Sequence, residues 1–206
     1  PPRSTPLYSS AASDVYKRQK YPKTSSRFEL ERAIAKSALE TKDNARIVQY
    51  GELVLAQDPE DLAMLDAVSR GLLLAGKPEK ALPYAVKYEK SLRSLENGEK
   101  MRWQTRAELD QGLGRALLYQ SKAHLALKKI PAAVGFAQQS MAANPSAEAS
   151  RALGMAHAAQ NEPEAVTAYA EAFVVSQEAE RVADLALLRA EWRKSHTDEK
   201  GLGDVM

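Results

Sequence analysis

From Phe28 onward, apolar residues recur at intervals of three and four, separated by polar and charged positions. One example is the set Ala165, Ala168, Tyr169, Ala172 and Phe173, which share one face of a 3.6-residue helix. No segment alternates apolar and polar residues with period two, and no Asn-Gly or Asp-Gly pair marks a hairpin. The pattern therefore predicts an all-α fold.

Short breaks divide this helical pattern, and each contains Gly, Pro, Asn or Asp, the residues that stop or start helices. They lie at 42–44, 58–61, 76–78, 96–98, 129–131, 144–146 and 161–163. Pro78, Pro131 and Pro163 come just before the next helix, where the missing N–H of proline costs nothing. The breaks predict about eight antiparallel helices.

The breaks and the small residues around them recur at a regular interval. Asp58-Pro59 and Asn144-Pro145 are 86 residues apart, as are Ile47 and Ala133. Ile47, Ala81, Ala133 and Ala165 follow each other at spacings of 34, 52 and 32 residues, of which two are close to 34 and the middle one is 34 plus an insert of 18. Such an interval is typical of stacked helix pairs, because one pair cannot bury its apolar stripe alone.

The residues between these points resemble the tetratricopeptide repeat (TPR). Leu153, Gly154, His157, Ala165 and Tyr169 follow the repeat's signature positions. Three further repeats centre on Ile47, Ala81 and Ala133, and the first, about 28–61, departs most from the signature. The resemblance covers residues 28–178. It implies antiparallel helix pairs stacked into a right-handed TPR-like α-solenoid, with the small residue at each helix crossing buried.

The same patterns predict three regions. Residues 1–27 are interpreted as a disordered tail or an assembly artefact, and residues 28–178 as the repeat domain. A polar insert near 89–110 is expected to lengthen one helix, from about Glu99 to Leu127, in which Gly112 and Gly114 mark close helix approach or a kink. Residues 179–206 are expected to hold a capping helix and a truncated tail. The capping helix is outlined by Val182, Leu185, Ala186, Leu188 and Trp192.

Charge separates the tail from the rest of the chain. The net charge is +2, but residues 1–27 carry six basic side chains and one acid, which leaves the remainder at −3. A basic tail raises the alternative of a nucleic-acid or anionic-surface binder. The negative remainder argues against it, so no nucleic-acid partner is expected.

No catalytic chemistry is indicated, and we expect the chain not to be an enzyme. Cysteine is absent, which excludes thiol catalysis and thiolate metal sites within the chain. No nucleotide-binding glycine loop and no His-Glu-x-x-His motif occurs. His124, His157 and His196 are not at metal-ligand spacing, and the first two are expected to pack. We predict no cofactor, no metal site and no membrane span.

The TPR resemblance implies a concave face lined by the first helix of each pair. The residues carried over to that face are Asp66, Arg70, Arg115, Tyr119, Lys122, Arg151 and Met155, together with Leu118 and Glu148. Four are cationic, which favours a non-catalytic interaction scaffold that binds an acidic peptide or a C-terminal carboxylate. The alternative is that the cations pair with neighbours such as Asp66 and Glu148. None of these positions is Asn, unlike the chaperone-tail clamp of the family.

A second resemblance offers another function. The Gly112-to-Leu117 run, Trp103 and the Gly201–Met206 end resemble the helical-repeat region that precedes a thioredoxin-like domain in some bacterial thiol–disulfide proteins. In that case the chain would be an accessory region, and the catalytic domain would lie outside it. The composition fits the bacterial cytoplasm and the periplasm alike.

Overall fold

The computed structural model describes residues 26–96 and 105–206, and within them it contains helices and no strands. The helices are α1 (Ser26–Glu40), α2 (Asn44–Gln57), α3 (Leu62–Leu74), α4 (Pro78–Glu96), α5 (Arg106–Ala126), α6 (Ile130–Ala143), α7 (Ala147–Ala158), α8 (Glu164–Val175), α9 (Glu178–Trp192) and a short 3-10 helix (Leu202–Val205). The predicted basic tail lies almost entirely outside the described residues.

The chain divides into two compact units, residues 1–59 and 60–206. In the first unit, α1 packs against α2, and Ile47, at the predicted crossing position, is buried together with Tyr50 and Val54. The helix α2 begins where Asp43 accepts a hydrogen bond from the Arg46 backbone N–H at 3.1 Å. This cap satisfies one of the unpaired donors at the helix start.

In the second unit, each helix from α3 to α9 packs against the next one along the chain. In addition, α3 contacts α5 and α5 contacts α7, so the first helices of successive pairs lie side by side. This is the contact pattern of stacked helix pairs. The predicted fold class, an all-α TPR-like stack of helix pairs, is confirmed.

Small residues sit where paired helices approach most closely. Ala81, Ala133 and Ala165 have no exposed surface, as predicted. A side chain on Gly154 would place its Cβ 2.7 Å from the ring of Tyr169, closer than such atoms pack. The spacing seen in the sequence therefore reflects steric limits on helix approach.

The turn inside each pair contains one residue with left-handed backbone conformation. These residues are Lys42, Gly76, Lys128 and Asn161, with φ of 55°, 66°, 58° and 57°. They follow one another at intervals of 34, 52 and 33 residues, within one residue of the intervals between Ile47, Ala81, Ala133 and Ala165. Only Gly76 adopts this conformation without steric cost, so the turn geometry is imposed by packing of the pair.

The insert is arranged differently from the prediction. The expected helix from Glu99 is wrong, because α5 begins at Arg106, after Thr105. The Glu108 carboxylate accepts from the Thr105 backbone N–H at 2.7 Å, and the Thr105 hydroxyl accepts from the Glu108 N–H at 3.3 Å. This reciprocal cap defines a helix start. Residues 89–96 extend α4 instead, and Trp103 lies outside the described residues.

Gly112 and Gly114 mark close approach and not a kink, since α5 is one continuous helix. A Cβ on Gly112 would lie 3.2 Å from Leu92, and one on Gly114 would lie 2.7 Å from the Asn144 Cβ. The helix thus approaches α4 on one side and the end of α6 on the other. Glycine at these positions permits both contacts.

The capping helix α9 is present, but only some of the apolar residues that outline it pack into the core. Leu188 and Trp192 are buried with Ala165, Tyr169 and Leu202 in one core cluster. Val182, by contrast, is 79% exposed, and Ala186 also faces solvent. The buried side of α9 includes Asp184 and not Val182. None of the described helices is long and apolar enough to cross a membrane.

Candidate peptide-binding groove

All seven predicted site residues lie on first helices of pairs in the second unit. Asp66 and Arg70 are on α3; Arg115, Tyr119 and Lys122 are on α5; Arg151 and Met155 are on α7. Because these residues recur at three- and four-residue spacing, each helix presents them on one side. Their partners, however, divide them into two groups.

Asp66 is the centre of a network that joins α3, α4 and α5. Its Oδ1 accepts from the Tyr119 hydroxyl at 2.8 Å and from the Arg115 Nε at 3.3 Å. Arg115 also donates to the Tyr88 hydroxyl at 3.2 Å. Burial, with the nearby Asp66 charge, raises the pKa of both tyrosines, so they remain neutral. Arg115 is therefore engaged within the fold, as the pairing alternative expected.

Arg151 is held by the capping helix. Its Nε donates to Asp184 Oδ1 at 2.5 Å, and a terminal nitrogen donates to Asp184 Oδ2 and Glu180 Oε2, both at 2.9 Å. Asp184 has no exposed surface and also accepts from the Ser176 hydroxyl. The hydrogen bonds from Arg151 hold the pKa of the Asp184 carboxyl below its usual value. Arg151 thus links α7 to α9 through these hydrogen bonds.

Sequence reasoning missed Asp184 and Glu180, although a signal was present. Glu180, Asp184, Leu188 and Trp192 recur every fourth residue and so lie on one helix face. Two carboxylates on the same helix face as two large apolar residues indicate that the acidic part of that face contacts a cationic side chain.

Lys122 forms an ion pair with Glu148, which links α5 to α7. The Glu148 side chain is about half exposed. An exposed pair of this kind contributes at most about 1 kcal/mol, so a ligand can exchange with either partner. Met155, one turn beyond Arg151 on α7, is also about half exposed.

Arg70 differs from the other three cations. It is exposed at the end of α3 and has no hydrogen bond or ion pair with any described residue. It borders an open groove of about 610 Å³. The lining consists of the ends of α3 and α5 and the starts of α4 and α7: Arg70, Leu73, Leu74, Gly76, Pro78, Tyr119, Lys122, Ala126 and Glu148.

The structure therefore brings four of the residues expected on the concave face into one groove: Arg70, Tyr119, Lys122 and Glu148. Asp66 does not line the groove and accepts a hydrogen bond from Tyr119. Arg115 and Arg151 are hydrogen-bonded to carboxylates of neighbouring helices. Leu74, which the sequence did not single out, is 66% exposed at the groove. An exposed leucine beside an unpaired arginine suits a ligand with an apolar side chain and a negative charge.

His124 and His157 pack, as predicted. The His124 ring stacks on Phe136 with centroids 5.2 Å apart, and burial lowers its pKa. His157 is buried, and its Nδ1 lies 2.5 Å from Glu162 Oε2, which closes the α7–α8 turn. Glu164 brings a third potential metal ligand within 4.8 Å of these two, a grouping not foreseen from the sequence. The hydrogen bond between His157 and Glu162 within the turn accounts for the short distance between these two side chains.

The fold is similar to that of a solved structure, "Crystal structure of MamA protein", a TPR-containing protein. The TM-score is 0.59 at 17% sequence identity, and the match covers 88% of this chain and 86% of the other. No protein-family model matches the chain, and no curated protein matches it. At this identity the likeness shows the fold alone. The link to thioredoxin-like proteins stays a prediction, and the chain has a TPR-like helical-repeat fold.

Proposed function

We propose that the chain is a non-catalytic protein-interaction scaffold that binds a peptide segment in the groove beside Arg70. The observation that carries this proposal is the exposed Arg70 guanidinium, which has no partner among the described residues and borders an apolar-lined groove. An arginine that stabilises the fold would be paired, as Arg115 and Arg151 are.

The lining suggests the chemistry of the ligand. Leu73, Leu74, Pro78 and Ala126 form an apolar wall that accepts an aliphatic or aromatic side chain. A carboxylate of the same ligand, from an acidic side chain or a chain end, would reach Arg70 and form charge-assisted hydrogen bonds. Lys122 adds a second cation when the ligand displaces Glu148.

The test is a peptide array that pairs free-acid and amidated peptides, each ending in an apolar residue. The labelled full chain should select free-acid peptides. Arg70→Glu should weaken the selected peptides at least about tenfold, which corresponds to ~1.4 kcal/mol and to the loss of one charge-assisted contact. Fluorescence anisotropy of the selected peptides measures the affinity.

Lys90→Glu is the matched control, because Lys90 is an exposed lysine of α4 that does not line the groove. It makes nearly the same change in charge and should leave the affinity unchanged. Equal loss in both variants would contradict the proposal, and so would equal binding of amidated peptides that have no acidic side chain. A variant that removes all four predicted cations is unsuitable, since Arg115 and Arg151 stabilise the fold.

A further inference from the structure

The capping helix α9 has two apolar faces. One face packs into the core through Leu188 and Trp192. The other consists of Val182, Leu185, Ala186 and Ala190, and it lines a shallow groove of about 360 Å³ that is open to solvent. A surface helix ordinarily has one apolar stripe and a polar opposite face. A second group of apolar residues that is open to solvent, here with Arg189 and Arg193 among them, is a feature of surfaces that bind other proteins.

The described chain leaves this second face uncovered. The helices α5 and α7 each pack on the helix before them and are covered by the helix that follows. The helix α9 packs on α8 in the same way, but the short 3-10 helix that follows it contacts α8. In the part of the chain that the structure describes, α9 thus resembles the first helix of a pair without its second.

The border of this face is cationic. Arg181, Arg189 and Arg193 lie along it, and the last two line the groove. Arg189 and Arg193 share one carboxylate, Glu199, at 3.2 and 2.6 Å. Arg181 donates to the Ser176 carbonyl at 3.3 Å and lies over the Phe173 ring, and it forms no ion pair with a described carboxylate. The border therefore has an excess of positive charge.

We infer that this face, defined by Val182, Leu185, Ala186 and Ala190 with their arginine border, binds an amphipathic α-helix of a partner protein that carries acidic residues beside its apolar stripe. The lining residues are spaced at three, four, seven, eight and eleven positions from Val182. That spacing forms the ridges and grooves against which another helix packs. The arginine border selects an acidic helix over a basic one. The face is distinct from the groove beside Arg70.

The probe is a synthetic amphipathic helix of about 20 residues, with a leucine and alanine stripe flanked by glutamates. A second peptide is identical except that every glutamate is lysine. Anisotropy titrations with the full chain should show saturable binding of the acidic peptide, at least about tenfold tighter than the basic one. Val182→Glu should weaken the acidic peptide at least about tenfold. The substitution does not threaten folding, because Val182 is exposed.

Two control variants and a sedimentation measurement make the result decisive. Arg193→Glu should reduce the preference for the acidic peptide. Arg70→Glu, in the other groove, should leave this binding unchanged and so separates the two proposals. Unchanged acidic-peptide binding in Val182→Glu, or no saturable binding by wild type, overturns the inference. The inference is also overturned if sedimentation shows a wild-type dimer that Val182→Glu converts to a monomer, because a second copy of the chain would then cover the face.

Discussion

At the scale of the residue, the most consequential group is Asp184, a carboxylate with no exposed surface in a helix that caps the stack. A buried charge is costly unless it is paired and hydrogen-bonded. Arg151 supplies two hydrogen bonds and Ser176 a third, so both carboxylate oxygens are satisfied. The pair fixes the rotation of α9 and thereby decides which apolar face is buried.

We expect Asp184→Asn to lower the free energy of unfolding at pH 7 by about 2 kcal/mol, the value of hydrogen bonds to a charged group. The folded protein holds the pKa of Asp184 below its unfolded value. The stabilisation is therefore complete above the unfolded pKa, about 3.9, and is lost as pH falls through the folded pKa. Urea unfolding of wild type and variant from pH 7 downward should show the difference shrinking below about pH 4.

The matched control is Glu180→Gln, because Glu180 binds the same arginine but is more than half exposed. Its effect should stay below about 1 kcal/mol. A loss as large as that of Asp184→Asn would show that burial of Asp184 is not what makes its pairing strong.

At the scale of the element, the paired helices are held at a distance set by their smallest side chains. Gly154 on α7 faces the buried ring of Tyr169 on α8, and Gly114 on α5 faces Asn144. Gly135 lies within α6 with no atom near the place a Cβ would take. Glycine is thus required by a close contact at the first two positions and not at the third.

Gly154→Ala should destabilise the protein by ~1–3 kcal/mol, because the new methyl group overpacks the α7–α8 contact. Gly135→Ala should stabilise it by up to about 1 kcal/mol, since alanine is the better helix former. Thermal and urea unfolding of both variants measure the two effects. A stabilised Gly154→Ala variant would show that the α7–α8 contact is looser than described.

At the scale of the whole molecule, charge and binding surfaces are separated along the sequence. The first 27 residues carry the basic excess, while both proposed binding surfaces are built from residues of the second unit. The remainder of the chain is net negative, so the arginines at both surfaces are local features. Ligand selection at each surface therefore depends on a few cations and not on overall charge.

Removal of residues 1–27 should leave the affinity of the groove peptides unchanged within twofold or so, because no lining residue belongs to that segment. Anisotropy with the shortened chain measures this. A loss of peptide affinity would assign the tail a direct part in binding and would revive the alternative of an anionic-surface binder.

Much of the fold could be predicted because local rules govern helices and turns. The breaks, the alanine positions and the 52-residue interval all depend on neighbouring residues and on the size of side chains at crossings. The start of α5 was not predicted, because a capping box competes with the helix-forming residues before it. The candidate site was predicted as a set of positions on first helices, but its division into paired and unpaired cations was not.

The sequence by itself determined the helices, their pairing and the small residues between them, because these follow from spacing along one chain. Only the tertiary structure decided which cations are free to bind. Arg115 and Arg151 find carboxylates 49 and 33 residues away, while Arg70 finds none among the described residues. It also decided which apolar face of α9 is buried, since that depends on where Asp184 meets Arg151 across the stack.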